Sequence, residues 1–301
     1  MNAPATPPPF PHTSRAPAAS AGAPAGRWPA QDGPGAGPGT YASPIPVRTP
    51  GFGDALASEW TKIRSVRSTV WTLGVMVVLL LGVGLLAAVA MNLSDAEFDG
   101  EPVLSLGFFG VLLGSICVIT LGVLTITSEY GTGMIRTTLT ACPSRGRILA
   151  AKSVVFFLLS FTITTVTTGV VGVLQTVILD GGTPTAGDWL RSTVGVSAYV
   201  ATLGLLSLAL GAIVRHSAGA ITVMIALVLL PLVLAMFMFT PSLAGVQEAL
   251  FEYSIPSQIG ALYEVSVTSS GPAGWEPLLI IAGVTAVAMA AAHVLQDRRD
   301  V

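Results

Sequence analysis

Thr69–Ala90 reads TVWTLGVMVVLLLGVGLLAAVA, and no charged side chain interrupts it. At 1.5 Å per residue, a helix of that length covers about 33 Å, enough to cross the hydrocarbon core of a bilayer. Five more runs of the same kind follow: Val103–Thr127, Val154–Leu179, Leu190–Val214, Ser217–Met238 and Pro277–Leu295. None contains an acid, and the one base inside these limits is Arg191, a residue from an end. An ionised side chain at mid-bilayer costs about 2.5–3.5 kcal/mol on insertion scales, so the absence of charges supports burial in lipid and among neighbouring helices. Pro231 falls inside the fifth run and is expected to break and kink it, which neighbouring helices tolerate. The pattern predicts an all-α integral membrane protein with six transmembrane helices.

Composition agrees. Apolar residues make up 52% of the 301 and charged ones only 10%, where a soluble domain carries about a quarter. Six such helices in water would leave too few polar residues to coat a surface. Two domains follow from the composition. Residues 1–50 are mostly Pro, Ala, Gly and Ser without apolar periodicity, a segment that cannot offset the entropy of ordering, so a disordered tail is expected. It does not read as a secretory signal, because no apolar stretch precedes Thr69. Its Arg15, Arg27 and Arg48 are too sparse for a polybasic patch. Residues 51–301 form the membrane domain.

Orientation comes from the bases. With both termini in the cytoplasm, the segments on that side hold Lys62, Arg64, Arg67, Arg136, Arg145, Arg147, Lys152, Arg215, Arg298 and Arg299. The outer loops hold Asp95, Glu97, Asp99, Glu101, Asp180 and Asp188, with Arg191 the one base outside. This is the positive-inside pattern of a multi-pass protein of the cell membrane.

No catalytic equipment is legible, and an enzyme is not expected. A phosphate-cradling P-loop needs Gly directly before its Lys, but Lys62 follows Thr61 and Lys152 follows Ala151, and there is no third lysine. His12, His216 and His293 are not at metal-ligand spacing. Cys117 and Cys142 are separate thiols rather than a disulfide framework. No Ser sits between glycines as a nucleophile elbow. No intramembrane Asp, Glu or Lys offers a proton relay. Energy for uphill transport would have to enter from another chain. No cofactor is expected on this one, and no nucleic-acid partner.

Two segments carry more. In Asp54–Arg67 a helix places Leu56, Trp60 and Ile63 on one face while Glu59, Lys62 and Arg64 point elsewhere, with Asp54 as N-cap. Such a helix, basic and carrying Trp beside a span, suits the membrane interface; an anchor obeying the positive-inside rule explains the bases equally. In Ser128–Arg147, Glu129 and Tyr130 lie directly beneath the membrane, and Gly131 and Gly133 form a turn. Met134, Ile135, Thr138 and Leu139 then make a short apolar helix face ended by Pro143. A docking surface for a cytosolic partner needs such contacts. A plain connector accounts for the charges but not for Met134, Ile135 and Leu139. Glu129 is either solvated or paired with Arg145, Arg147 or Lys152.

These stretches, Glu59-Trp-Thr-Lys-Ile-Arg-Ser-Val-Arg-Ser-Thr-Val-Trp71 and Ser128-Glu-Tyr…Gly133…Ile135-Arg136-Thr-Thr-Leu139…Pro143…Arg145…Arg147…Ala151-Lys152, resemble the type-2 ABC exporter permeases of actinobacteria. The likeness covers about residues 52–301 and is specific at these two motifs. It implies a permease subunit of an ATP-driven exporter, with two permeases, either two copies of this chain or one joined to a relative, and two separate P-loop ATPases that bind ATP and Mg. It also implies an interfacial elbow over about Phe52–Arg67 and a coupling helix over about Glu129–Leu139, with Glu129 and Arg136 transmitting motion. Pro241–Trp275 would supply two short re-entrant helices before the last span, one with Leu243, Val246 and Leu250, the other with Ile259, Leu262 and Tyr263, split near Pro256. Membrane lipid surrounds the whole. The Pro-rich tail departs from the family pattern.

Three readings compete with that one. A carrier working without ATP comes second, a membrane anchor for a cytosolic complex third, and an intramembrane enzyme a distant fourth. Thr162, Thr164, Thr165, Thr167 and Thr168, followed by Gln175, form a polar stripe that could line a path. Threonines in such helices more often bond back to their own backbone, which is the favoured reading.

Overall fold

The structure, a computed structural model, describes residues 51–94, 102–134, 145–179, 183–265 and 270–299. The tail 1–50, the acids Asp95–Glu101 and Asp180, and Ile135–Ser144 with the proposed coupling residues Ile135, Arg136 and Leu139 lie outside them. Among the described residues there is no strand.

Helix α1 (Phe52–Ser65) opens the membrane domain. Its N-cap is Gly51 rather than Asp54: the Asp54 carboxylate sits three positions into the helix and accepts the Gly51 N–H at 2.8 Å. Satisfying an orphan donor from inside the first turn also puts the negative charge at the positive end of the helix dipole. Lys62 and Arg64 occupy the last turn, where the dipole favours cations. One extended residue, Val66, separates α1 from α2 (Arg67–Leu93).

After a 3₁₀ turn over Val103–Leu106 come α3 (Gly107–Gly131), α4 (Arg145–Ile178), α5 (Ala186–Val214), α6 (Ser217–Met236), two short helices α7 (Ala244–Glu252) and α8 (Ile255–Leu262), and α9 (Glu276–Arg299). Six of these, α2 through α6 and α9, are long and apolar enough to cross a membrane, as a multi-pass membrane protein requires. Their order and number match the hydropathy reading, but two begin a full turn or more earlier. The third span starts at Arg145, not Val154, because its basic first turns remain helical beyond the apolar run. The fourth starts at Ala186, not Leu190, because Thr185 and Asp188 cap one another: the Asp188 carboxylate accepts the Thr185 N–H at 2.8 Å, and the Thr185 hydroxyl accepts the Asp188 N–H at 3.3 Å. Helix α6 is not broken and continues through Pro231.

Helices α3 and α5 form the centre. In α5, 72% of the span is buried against 17% in α9, which sets which helices face outward. Lipid tails are as apolar as leucine, so helices in a bilayer associate through close packing rather than hydrophobic exclusion. Gly122 of α3 lies against the backbone of Gly204 in α5, and a Cβ on Gly204 would come within 2.6 Å of the Phe156 ring of α4. Only glycine permits that approach. Outward, α2, α4 and α9 expose Val78, Leu86, Val177, Leu279 and Val287, an apolar belt too extensive for a protein surface in water.

Contacts at the helix ends establish the up–down order. Tyr130 at the end of α3 lies under the Arg215 guanidinium just past α5, 4.9 Å from its ring centre, and its hydroxyl accepts from Gln296 of α9 at 3.2 Å. At the opposite end Asn92 of α2 donates to the Ile178 carbonyl of α4. Lys62, Arg64, Arg67, Arg147, Lys152, Arg215 and Arg298 therefore gather at one end of the bundle. Arg191 is at the other end, paired with Asp188 at 3.0 Å and with Glu264.

Candidate functional site

The chain has two lysines, and the fold brings both to one place. Lys152 lies two turns into α4, where its side chain is 2% exposed. Its ammonium donates to Glu59 Oε2 of α1 at 2.6 Å and to Glu129 Oε1 of α3 at 2.8 Å. Lys62 of α1 donates to Glu59 Oε1 at 2.8 Å and to Glu129 Oε1 at 3.0 Å. Two carboxylates and two ammoniums thus form a formally neutral, mostly buried ring that ties α1, α3 and α4 together.

The cluster decides what α1 buries. The expected apolar face of Leu56, Trp60 and Ile63 is split: the buried residues of α1 are Glu59 and Ile63, while Trp60 is 48% exposed. Charge turns inward where it finds partners, and the indole stays at the protein surface. Arg64 is exposed and Leu56 half-buried. Glu129 is paired, not solvated, and its partners are Lys152, one of the three candidates, together with Lys62, which sequence reasoning had pointing away. Arg145 opens α4, and Arg147 is exposed in its first turn.

Electrostatics favours the charged form of Lys62. Burial works against the charge on Lys62, but hydrogen bonds to Glu59 and Glu129 and their attraction outweigh it, raising its ammonium above the ordinary lysine value. Glu129 Oε2 is buried and has no hydrogen-bond partner.

Beside the ring lies a cavity of about 180 Å³ between α1, α2 and α3. The charged cluster lines one side. Thr69, Thr72, Thr125 and Ser128 supply hydroxyls, and Ile63, Val66, Leu121, Leu124 and Met134 an apolar wall. Met134 lies just past the turn at Gly133, whose φ of +72° is the left-handed conformation glycine adopts freely.

Two of the five threonines of the stripe bond back to their own helix. Thr167 and Thr168 donate to carbonyls four residues back, and Ser160 does the same. Gln175 bonds across to the Gly84 carbonyl of α2 at 3.1 Å. Thr164 and Thr165 keep buried hydroxyls without partners.

The expected two-helix break between the fifth and sixth spans is present as α7 and α8, divided at Tyr253–Ser254, with Pro256 in the first turn of α8 and Ile259, Leu262 and Tyr263 buried. Leu243 and Val246 are exposed and Leu250 half-buried. No protein-family model matches the chain, and no curated protein matches it either.

Proposed function

We propose that this chain is the membrane-spanning permease subunit of an ATP-driven exporter of the type-2 ABC class, driven by a separate cytosolic P-loop ATPase that holds ATP and Mg. The supporting observation is the Glu59–Lys62–Glu129–Lys152 ring. Its members sit on α1, α3 and α4; of the segment Glu129–Leu139, where the resemblance puts the coupling helix, Glu129–Gly131 form the end of α3, and the rest lies between α3 and α4. A segment pushed by an ATPase at that point would act on three helices locked by charge rather than on a loose loop. Two-state switching needs such a unit, because a ligand shifts only an equilibrium whose states it touches differently. In this reading α1 is the interfacial elbow, α7 and α8 are the re-entrant pair, and the basic end faces the cytoplasm of the cell membrane. A second permease, identical or related, completes the path.

The test is purification of tagged protein from its own membranes in mild detergent. A stoichiometric P-loop ATPase that is lost when Met134–Leu139 is scrambled supports the reading. A clean homo-oligomer without ATPase, reproduced in lipid discs, would overturn it in favour of an ATP-independent carrier. Arg136→Ala with unchanged ATPase association and transport would remove that residue from the coupling path.

A further inference from the structure

Glu129 and Tyr130 are consecutive in the last turn of α3, and they reach to different parts of the bundle. Glu129 is tied to α1 and α4 through Lys62 and Lys152. Tyr130, about 100° further round the helix, has the Arg215 guanidinium over its ring at 4.9 Å and accepts from Gln296 of α9 at 3.2 Å. One turn of α3 thus engages α1, α4, α9 and the connection that follows α5.

That connection is where the backbone needs holding. Arg215 has φ +57° and ψ +16°, and among the described residues Glu264 alone shares a positive φ outside glycine. Glycine usually takes this place when a helix ends left-handed; a residue with a Cβ is disfavoured there by about 5- to 30-fold. Arg215 and His216 are the whole link between α5 and α6. The Arg215 N–H closes α5 on the Gly211 carbonyl at 2.9 Å, and His216 Nδ1 accepts the Gly219 N–H at 3.1 Å to open α6. Beyond the link, packing holds α6 lightly: 22% of its span is buried against 72% in α5. Its far end is tied to α7, where Gln247 donates to the Ala235 carbonyl at 2.9 Å.

We propose that Tyr130 is a conformational latch on the α5–α6 turn. Stacked against Arg215, it keeps the turn left-handed. A displacement of the α3 terminus withdraws the ring, Arg215 relaxes, and α6 shifts together with α7. A cation over an aromatic face contributes about 2- to 30-fold to an equilibrium, the range of the backbone cost it offsets. The latch belongs to the fold and does not depend on docking an ATPase, so its failure would leave the permease reading standing.

Hydrogen exchange followed by mass spectrometry on the full-length protein in lipid discs tests this, with a peptide over 213–222 as the readout and one over 72–90 as the reference. Tyr130→Leu should raise exchange in 213–222 about 2- to 30-fold and leave the reference unchanged. Tyr130→Phe keeps the ring and loses the hydroxyl, and should exchange as wild type does. In an Arg215→Gly background there is no guanidinium to hold, so adding Tyr130→Leu should change nothing. Lys152→Met, which loosens the grip on the α3 terminus from another helix, should raise exchange in 213–222 relative to the reference by at least about 2-fold. Wild-type exchange in Tyr130→Leu, or a rise that the reference shares equally, would overturn the latch. So would a rise of the same size in the Arg215→Gly background, which would make Tyr130 an ordinary packing residue. Release by Tyr130→Phe alone would give the hold to Gln296 instead, and an unmoved 213–222 in Lys152→Met would disconnect the turn from the α3 terminus; either result overturns the proposal.

Discussion

Replacing Lys152 by methionine removes the most buried member of the ring. The wild-type cluster balances two carboxylates with two ammoniums at 2.6–3.0 Å. Without Lys152, Glu59 and Glu129 share Lys62 alone, and a net negative charge stays in a site from which water is largely excluded. Breaking a buried pair in this way costs about 3–5 kcal/mol, much of it the penalty for the charge left behind. For a folded domain of this size each kcal/mol shifts the midpoint by about 2–4 °C, so Lys152→Met should melt about 6–20 °C lower, followed by tryptophan fluorescence or static light scattering in one detergent. The decisive comparison is the double variant. Adding Glu59→Gln restores neutrality, with Glu129 facing Lys62, and should recover at least half of the loss. Adding Arg64→Gln, a charge change on the same helix outside the ring, should recover none. A Lys152→Met protein that melts within about 2 °C of wild type, or a loss that Glu59→Gln fails to repair, would refute the reasoning that an uncompensated carboxylate is the cause.

The raised Lys62 ammonium has a definite pH signature. Because its folded value lies above the ordinary 10.5, its contribution is fully present below pH 10.5 and is lost as pH rises through the folded value. The stability advantage of wild type over Lys62→Met should therefore be flat from about pH 7 to 9 and shrink above about pH 10.5, read as the difference between their melting curves. Packing makes an opposite pair of forecasts for glycine. Gly122→Ala drives a methyl into the Gly204 backbone and should destabilise by about 1–3 kcal/mol, whereas Gly169→Ala meets nothing within 4 Å and should stabilise by about 0.5–1 kcal/mol through helix propensity alone; a thermal melt of each separates them.

The six long helices were legible because the signal is local. Each residue's transfer cost into hydrocarbon adds along the run whatever lies next to it, so Thr69–Ala90 declares itself without reference to any other segment. The end of a span is less legible where charges are locally neutralised. Hydropathy stopped at Val154, yet α4 extends back to Arg145, because Lys152 enters the bundle with its charge already matched.

The site was legible only in parts. Glu59, Lys62 and Glu129 were each marked by motif, and Lys152 was one of three possible partners for Glu129. A weak signal was available in the lysines themselves, since the chain uses only two and Lys62 follows Glu59 by three positions. What no local reading could supply was the meeting of residues 67 and 93 positions apart, nor the burial of Glu59. Apolar periodicity names a face to bury in water, but in a membrane both the bundle and its surroundings are apolar. Which face turns inward is then decided by where charges find partners, and those partners come from other helices. The amino-acid order alone determined the number and sequence of the long apolar helices; the tertiary structure decided which charges neutralise one another and where the cavity beside them opens, because Coulomb pairing in a low-dielectric site depends on distance across the fold and not along the chain.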